Sequence, residues 1–152
     1  MQRTKLILRV RSLTRDFTNS IFRETDIIDF INEAIDRFKQ TIPQLKSLTY
    51  LSTPTSEPSL IPEQYQHLLA VYASSRCFGQ DERHYQATTL MNEFEVKLEE
   101  MKGLIENGQL VIIDPSTGEA VTEEYAVDYV DTSAYWTNSS SELYDVDEGV
   151  DA

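Results

Sequence analysis

The chain has 152 residues, a formal net charge of −13 and one cysteine, which is the size of one domain with an appendage. One cysteine excludes an internal disulfide framework and a metal site made of several cysteines. No apolar run approaches the ~20 residues that a membrane helix needs, so we expect no membrane partner and synthesis in the cytoplasm.

The charge is distributed unevenly along the chain. Residues 1–108 carry all thirteen basic residues and fifteen acidic ones, for a net charge of −2, whereas residues 109–152 carry eleven acidic residues and no Lys or Arg, for a net charge of −11. Such asymmetry is typical of an interaction tail attached to a near-neutral domain. It argues against direct binding to duplex DNA, because Lys and Arg must neutralise the phosphates.

The first two predicted elements are amphipathic helices joined by a link over 18–24. Apolar residues over 4–17 recur at the spacing of one helix face: Leu6, Val10, Leu13 and Phe17. The second helix is predicted to have Thr25 as its N-cap and to end before Pro43, which disfavours helical geometry in the residue before it. Its predicted buried face consists of Ile27, Ile31, Ala34, Ile35, Phe38 and Ile42.

A long loop and a third helix follow. Prolines, serines and threonines between 43 and 62 predict a loop with a short extended piece at LTYL, and a loop of this length often has a functional or interface role. Pro62 suits the first position of the third helix. Gly79 is predicted to end that helix and Asp81 to cap the next one. The predicted buried face of the third helix consists of Tyr65, Leu68, Leu69 and Tyr72.

The fourth helix, predicted over 82–107, has an apolar seam with steps of four and three residues. The seam consists of Ala87, Met91, Phe94, Leu98, Met101 and Ile105. Such a heptad seam suits packing inside an antiparallel bundle or against a helix of a neighbouring subunit. Packing inside the bundle is the more ordinary interpretation, and both stay open at this point. Gly108 is predicted to stop the helix.

The hydrophobic period changes after Gly108. QLVII and EAVTE flank DPSTG, which favours a tight turn with Gly118 available for positive φ, so a β-hairpin is predicted over 109–123. Residues 124–152 are predicted to form an extended arm, because their acidity opposes compaction. The predicted fold is therefore mainly α: a four-helix bundle over 1–108, then a β-hairpin, then an extended acidic C-terminal arm.

The arm contains half of the eight tyrosines and the only tryptophan, although nothing in it predicts a core. Tyr and Trp combine a large apolar face with a hydrogen-bonding tip, which suits an interface. We therefore interpret its apolar residues as anchors that become ordered on a partner; the alternative is a solubilising tail with incidental aromatics. The candidate partner-binding residues are Tyr125, Tyr129, Tyr135, Trp136, Leu143 and Tyr144.

Charged residues on the first and fourth helices are the candidates for contacts between copies. They are Arg9, Arg11, Arg15, Glu99 and Glu100. Together with Arg3 and Lys5, the three arginines form a basic cluster that could instead belong to a DNA-binding domain. A solvated helix face that pairs with acidic residues of a neighbouring subunit is the favoured interpretation.

Motifs for catalysis or cofactor binding are missing from the sequence. It contains no phosphate-binding Gly-rich loop, no G-x-S-x-G and no H-E-x-x-H. His67 and His84 are isolated from one another, and Cys77 beside Phe78 is typical of a small core residue. Acidic residues near the C-terminus do not have EF-hand spacing. We predict a protein that is not an enzyme and that has no metal or cofactor.

Two segments resemble the head–tail connector adaptors of tailed bacteriophages. TDIIDFINEAIDRFKQTIPQL has that family's acidic helix start, apolar pair, Asn-x-Ala and Pro after the helix, and LIPEQYQHLLAVYASSRCF has its Leu-x-Pro entry into a helix. A polar break and a long final helix follow, so the resemblance covers about residues 4–107. The matching positions are Thr25, Asp26, Ile27, Ile28, Ile31, Asn32, Ala34, Pro43, Leu60, Pro62, Tyr65, Leu68, Leu69, Tyr72 and Ala73.

The resemblance implies a structural virion protein that is made in the host cytoplasm and lies in the virion neck. Adaptors of this family form a ring, typically dodecameric, beneath the portal protein, extend the DNA channel and provide a docking surface for neck and tail completion proteins. DNA would be a partner only while it passes through the channel. The segment after Gly108 has no motif match, so its role as a strap on a partner is inferred from its composition.

Two alternatives from other classes remain. One is an acidic-tailed regulator or DNA mimic that binds a host protein as a monomer or dimer, which the net charge of residues 109–152 favours. The other is a helical DNA-binding domain whose acidic tail occupies its own basic site. Association with a portal protein would separate the adaptor from both.

Overall fold

Four α-helices make up most of residues 1–121, the part of the chain that this computed structural model describes. They are α1 (Arg3–Thr14), α2 (Glu24–Thr41), α3 (Leu68–Gln80) and α4 (His84–Glu106). Short 3₁₀ turns lie at Pro43–Leu45 and Glu63–Tyr65. The predicted mainly α fold is confirmed for these residues, which belong to one unit, Met1–Val121.

Helix α3 occupies the centre of the unit and packs against α1, α2 and α4. Small residues allow this close approach, since Ala70, Ala73 and Ser74 are completely buried. The buried hydroxyls find acceptors within the helices: Ser74 Oγ donates to the Ala70 carbonyl at 2.8 Å and Ser75 Oγ to the Ala87 carbonyl at 2.7 Å. A central helix with mixed small and large residues therefore carries the core without unpaired hydroxyls.

Helix α2 follows its sequence pattern closely. Its predicted face is completely buried and consists of Ile27, Ile31, Ala34, Ile35, Phe38 and Ile42. Ile42 has extended geometry (φ −117°, ψ 107°) before Pro43, as the proline requires. The predicted N-cap at Thr25 is wrong, because the N-cap lies two residues earlier, at Arg23, which forms no side-chain cap, and the helix begins at Glu24.

Helix α1 ends earlier than predicted. It stops at Thr14, Arg15 takes the left-handed region (φ 60°), and Phe17 is 72% exposed. The predicted apolar stripe is correct for Leu6 and Val10 and wrong beyond them. The buried face of α1 instead consists of Leu6, Ile7, Val10, Arg11 and Thr14.

The long loop between α2 and α3 is part of the core. Five of its apolar side chains are buried in the core: Leu45, Leu48, Leu51, Leu60 and Ile61. The Leu51 amide donates to Asn32 Oδ1 at 3.0 Å, and Arg3 Nη1 donates to the Leu51 carbonyl at 3.2 Å. No strand forms at LTYL, so the predicted extended piece is held by side chains rather than by a sheet.

Two predicted boundaries of α3 and α4 are wrong. After Pro62 comes only a 3₁₀ turn, and α3 begins at Leu68. Asp81 lies at the end of α3 rather than at the start of α4, and Glu82 takes the left-handed region (φ 59°) between the two helices. The Arg83 amide donates to the Phe78 carbonyl, and the Glu82 amide donates to the Gly79 carbonyl. This is the hydrogen-bond pattern of a Schellman motif at the C-terminal end of α3.

The centre of the α4 seam packs inside the protomer. Phe94, Leu98 and Met101 are completely buried, and the Phe94 ring meets Phe38 and Tyr72 edge-on at centroid distances of 5.9 and 5.1 Å. The flanking seam residues are only partly buried. Gly108 (φ 76°) ends the helix as predicted, because the left-handed geometry needed there is cheapest for glycine.

Residues 109–121 contain a turn and no strand. One isolated antiparallel bridge joins Ile113 and Ala120, with the Val121 amide donating to the Ile112 carbonyl at 2.8 Å. Asp114 Oδ1 accepts from the Ser116 amide and hydroxyl, which fixes the turn. The predicted hairpin is therefore reduced to this bridge within the described residues. Residues 122–123 and the arm over 124–152 lie outside them.

Candidate interaction surfaces

The predicted partner-binding residues all belong to the arm. Tyr125, Tyr129, Tyr135, Trp136, Leu143 and Tyr144 lie outside the described residues, so their role stays a prediction. The predicted contacts between copies, in contrast, all fall on α1, its end and α4. These positions lie within residues 1–121, so the exposure and the hydrogen-bond and ion-pair partners of each side chain are known.

Arg11 is not available to a neighbouring copy. Its Nη1 lies 2.6 Å from Asp16 Oδ2 and 2.9 Å from the Phe22 carbonyl, and the residue is only 7% exposed. Asp16 also accepts from the Ser20, Ile21 and Phe22 amides at 3.0–3.1 Å. The expectation that Arg11 lies on a solvated face is wrong, because this guanidinium organises the turn after α1.

The electrostatics of Asp16 follow from the same contacts. Burial opposes ionisation of the carboxyl, but the amides of Phe22, Ile21 and Ser20 and the charge of Arg11 outweigh it, and the pKa of Asp16 is held below its usual range. The carboxylate is therefore ionised at neutral pH and fully hydrogen-bonded, as a buried charge requires. Its role in the described residues is structural.

The outer face of α1 carries cations that have no ion partner within residues 1–121. Lys5, Arg9 and Arg15 are all exposed, and none of them forms an ion pair there. Leu8, on the same helix, is 63% exposed. This face therefore offers positive charge beside an apolar side chain, and Arg9 and Arg15 remain available for contacts between copies.

The outer face of α4 carries the acidic counterpart. Glu99 is exposed and has no ion pair within the described residues, whereas Glu100 accepts from the Tyr65 hydroxyl at 3.2 Å and from Lys97 at 3.4 Å. Burial and the Glu100 carboxylate raise the pKa of Tyr65, so its hydroxyl stays a donor. Glu99 is thus the more available of the two predicted acidic residues.

Other charges on the helices pair within the unit. Arg37 Nη2 lies 2.8 Å from Glu95 between α2 and α4, and Arg76 Nη1 lies 2.7 Å from Glu33 between α2 and α3. These pairs bind helices to one another. Lys39 on α2 and Lys102 on α4 form no ion pair within residues 1–121 either, so cations without an ion partner are most numerous on and just after α1 but are not confined to it.

A groove between the end of α1 and the start of α4 was not predicted. It has a volume of about 360 Å³ and is lined by Leu13, Thr14, Arg15, Phe78, Arg83, Tyr85, Gln86, Thr89 and Leu90. Its residues come from three helices and are far apart in sequence, so no local sequence pattern predicts the groove. The one available signal is Tyr85, an aromatic residue that does not fit the α4 seam.

Chemistry-bearing side chains do not converge in the described residues. Burial raises the pKa of the Cys77 thiol to about 12, which leaves almost none of the reactive thiolate at neutral pH. His67 is half-buried and His84 is exposed, at the start of α3 and α4 respectively. Within residues 1–121, no group of three or more His, Cys, Asp or Glu side chains is placed to hold a metal ion.

Comparison with known proteins gave no relative: no family model, no curated protein and no solved structure matches this chain. Among residues 1–121, none of the helices is both long and apolar enough to cross a membrane.

Proposed function

We propose that the chain is a structural head–tail connector adaptor that forms a ring below a phage portal protein. The ring would extend the DNA channel in the virion neck and present a docking surface to neck or tail completion proteins. The sequence resemblance over residues 4–107 supports this proposal, and a small helical unit with charged outer faces is compatible with it.

One observation supports the proposal that the subunits form a ring. Within residues 1–121, the same unit has cations without an ion pair on α1, such as Arg9, and a carboxylate without an ion pair on α4, Glu99. Both helices pack against α3 and present different surfaces. Complementary but different surfaces on one subunit favour heterologous contacts, and these close into a ring when the rotation between copies allows it.

The acidic arm is proposed as the strap that attaches each subunit to its portal. Residues 109–152 carry eleven acidic residues and no basic ones, so they are repelled by DNA and attracted to a basic groove on a protein. Trp136 and its aromatic neighbours would supply the affinity, since buried aromatic anchors dominate most interfaces. The free protein is expected to be monomeric or weakly associated until the portal organises it.

The experiment is to identify a portal gene beside the gene of this chain and to mix its product with the purified chain. We expect a complex with a fixed number of copies per portal ring, counted by native mass spectrometry and seen by negative-stain electron microscopy. A portal that binds none of the chain would remove the adaptor proposal. A stable ring of the isolated chain would remove the dependence on the portal.

A charge reversal tests the ring contacts themselves. Arg9→Glu should weaken assembly on the portal by roughly 5-fold or less, the scale of one exposed ion pair, and Glu99→Lys in the same chain should restore part of it. The control is Arg23→Glu, because Arg23 is exposed and its one ion pair within residues 1–121 is with Asp26 in the first turn of α2. Equal effects of Arg9→Glu and Arg23→Glu would argue against α1 as a lateral surface.

The charge asymmetry also favours a second candidate, an acidic-tailed regulator or DNA mimic that binds a host protein. A net charge of −11 confined to residues 109–152 could imitate the phosphates of a DNA segment for a DNA-binding protein. A host protein retained by the full chain and released by duplex DNA competitor, together with no portal binding, would favour this candidate over the adaptor.

A further inference from the structure

The groove at the end of α1 has two cations and no acidic residue in its lining. Arg15 is exposed and has no ion pair within residues 1–121. Arg83 is half-exposed, with its Nε 3.0 Å from Asp81 and its guanidinium carbon 5.8 Å from the centre of the Phe78 ring. A site of this kind attracts a carboxylate and repels a cation.

The rest of the lining combines apolar or aromatic side chains, Leu13, Phe78, Tyr85 and Leu90, with the uncharged polar side chains of Thr14, Gln86 and Thr89. Leu13 is 36% exposed and Tyr85 is 81% exposed, although the neighbouring Phe78 is buried. The Tyr85 side chain forms no hydrogen bond in the described residues; only its backbone carbonyl is used, by Thr89. A volume of about 360 Å³ is enough for one or two aromatic side chains, within the range of ordinary ligand pockets.

We propose that this groove binds the acidic, aromatic C-terminal segment, residues 124–152, of a second copy of the chain. Aromatic side chains such as Trp136 would lie against Leu13 and Tyr85, and acidic residues beside them would pair with Arg15 and Arg83. The segment has the matching chemistry, since it has no Lys or Arg and contains the only Trp. Aromatic residues paired with carboxylates suit an aromatic groove with guanidinium groups at its edge.

Chain length allows the segment to reach a neighbour. The described unit ends at Val121, which leaves residues 122–152 beyond it. Extended, such a length spans up to ~100 Å, whereas a unit of this size has a radius of gyration of about 14 Å. Contact with the groove of another copy therefore needs no rearrangement of the helices.

The other described grooves are less suitable for an acidic segment. The groove beside Met1 is lined by Glu57 and Glu63, and the one beside Ile21 by Asp26 and Asp81. Carboxylates already in place would repel further carboxylates. The groove beside Phe30 contains one cation, Arg76, which is paired with Glu33 and stacked on Phe30. Arg83 in the α1 groove is likewise paired with Asp81, but that groove also contains Arg15, which forms no ion pair within residues 1–121.

This inference goes beyond the proposed adaptor role and does not depend on it. It concerns the chain without any portal, where the segment would link one copy to the next through weak heterologous contacts. The same aromatic residues would leave the groove when a tighter partner binds them. Portal binding and self-association are therefore separate measurements, and either can fail alone.

The test uses the full-length chain and two complementary variants. The groove variant combines Arg15→Glu with Tyr85→Ala, two exposed side chains that form no hydrogen bond or ion pair in the described residues. The segment variant combines Tyr135→Ala with Trp136→Ala. We expect each to weaken self-association by at least about 10-fold, the scale of an interface hot spot, in sedimentation velocity from 1 to 300 μM (roughly the range of weak interfaces).

Mixing the two variants separates binding between copies from binding within one. The mixture keeps one intact groove and one intact segment on different molecules, so dimers should return while each variant alone stays monomeric. The control is Arg23→Glu with Val96→Ala, the same charge change at exposed positions outside the groove, and it should associate like the parent chain.

Fluorescence of Trp136 gives an independent result, since it is the only Trp. Its emission should shift to the blue as the concentration of the parent chain rises, and the groove variant should lose this shift. Emission that is independent of concentration would overturn the proposal, as would self-association that the groove variant leaves unchanged or a mixture that stays monomeric. If the proposal fails while the portal still binds the chain, the adaptor function stands.

Discussion

Helices α1 and α2 both have an apolar stripe in the sequence, but the stripe of α2 is much more regular and its buried face is more predictable. In α2 every residue of the predicted apolar face is completely buried. In α1 the predicted face is correct for its first two members, and the buried surface then turns toward Arg11 and Thr14. The difference arises at the C-terminal end, where α2 meets a proline and α1 meets a buried ion pair.

Apolar periodicity detects burial that is driven by the hydrophobic effect and misses burial that is driven by hydrogen bonding. Phe17 continues the α1 stripe by spacing, but it is 72% exposed because Asp16 turns the chain away from the helix. The turn is stabilised by a carboxylate with four donors in addition to the buried Phe22, and apolar spacing cannot reveal the carboxylate's contribution. Both ends are well defined, and each can be broken by a different kind of substitution.

The largest effect is expected in the α2 core. Phe38→Ala removes a completely buried ring that meets Phe94 edge-on, and should lower the free energy of unfolding by about 3–5 kcal/mol. Phe17→Ala is the control from the mispredicted end of the α1 stripe, and should change it by less than about 0.5 kcal/mol. Urea denaturation followed by circular dichroism measures both. Similar losses from both would mean that Phe17 is buried in solution.

The polar end of α1 should be nearly as sensitive. Asp16→Ala leaves the guanidinium of Arg11 buried without its carboxylate, at a cost of at least about 3 kcal/mol. Asp29→Ala, at an exposed position of α2 without an ion pair in the described residues, should cost less than about 0.5 kcal/mol. If the two acids cost the same in urea denaturation, the buried pair does not stabilise the turn.

Asp16 also predicts a dependence of stability on pH. Because its folded pKa lies below the ordinary value of 3.8, its contribution is fully present above that value and is lost as the pH falls through the folded pKa. The parent chain should therefore lose more stability than Asp16→Asn between neutral pH and pH values below about 4. Thermal melting followed across this window would give parallel curves for the two proteins if Asp16 did not contribute.

A smaller effect is expected from the turn after Gly108, where neighbouring residues differ in burial. Ile112 is 1% exposed and belongs to the core, whereas Val111 is 53% exposed. Ile112→Ala should cost about 2–4 kcal/mol, on the scale of buried aliphatic truncations, and Val111→Ala less than about 0.5 kcal/mol. A chain that stops at Gly108 should lose stability on the scale of Ile112→Ala. Unchanged melting of that truncated chain would exclude Ile112 from the cooperative unit.

The smallest expected effect is a gain. Glu82 has φ 59° between α3 and α4, a geometry that costs a non-glycine residue about 1 kcal/mol, so Glu82→Gly should raise the free energy of unfolding by about 0.5–1 kcal/mol. Glu93→Gly, in the middle of α4 and exposed, should lower it by about 1 kcal/mol. Melting temperatures that fall for both would show that Glu82 makes a compensating contact in solution.

The sequence predicted the helices and their core faces because apolar side chains recur at the helical period. The helix ends were predicted less accurately. The ends predicted from Pro43 and Gly108 are correct, because each of these residues restricts or frees its own backbone. Arg15 and Glu82 take left-handed geometry, which the preferences of these residue types do not predict. The long loop was recognised as a loop, but its buried leucines contact residues distant in sequence, and spacing along the chain cannot show such contacts.

The candidate surfaces were predictable only in part. Exposed charge at Arg9, Arg15 and Glu99 follows from helix periodicity, but the burial of Arg11 depends on a turn that brings Asp16 back to it. The groove at Tyr85 depends on how three helices meet, so only tertiary structure shows it.

The burial of Cys77 has a practical consequence for labelling. It is the only cysteine in the chain, and a thiol with a pKa of about 12 is ionised to an extent on the order of 10⁻⁴ to 10⁻⁵ at neutral pH. A maleimide dye would therefore pass over it and react with an engineered surface thiol, such as Ser12→Cys on α1. Labelling of Cys77 in the parent chain should therefore be very low. Spin labels or fluorophores can be attached at an engineered surface thiol, and distances between copies can be measured, without first replacing this core residue.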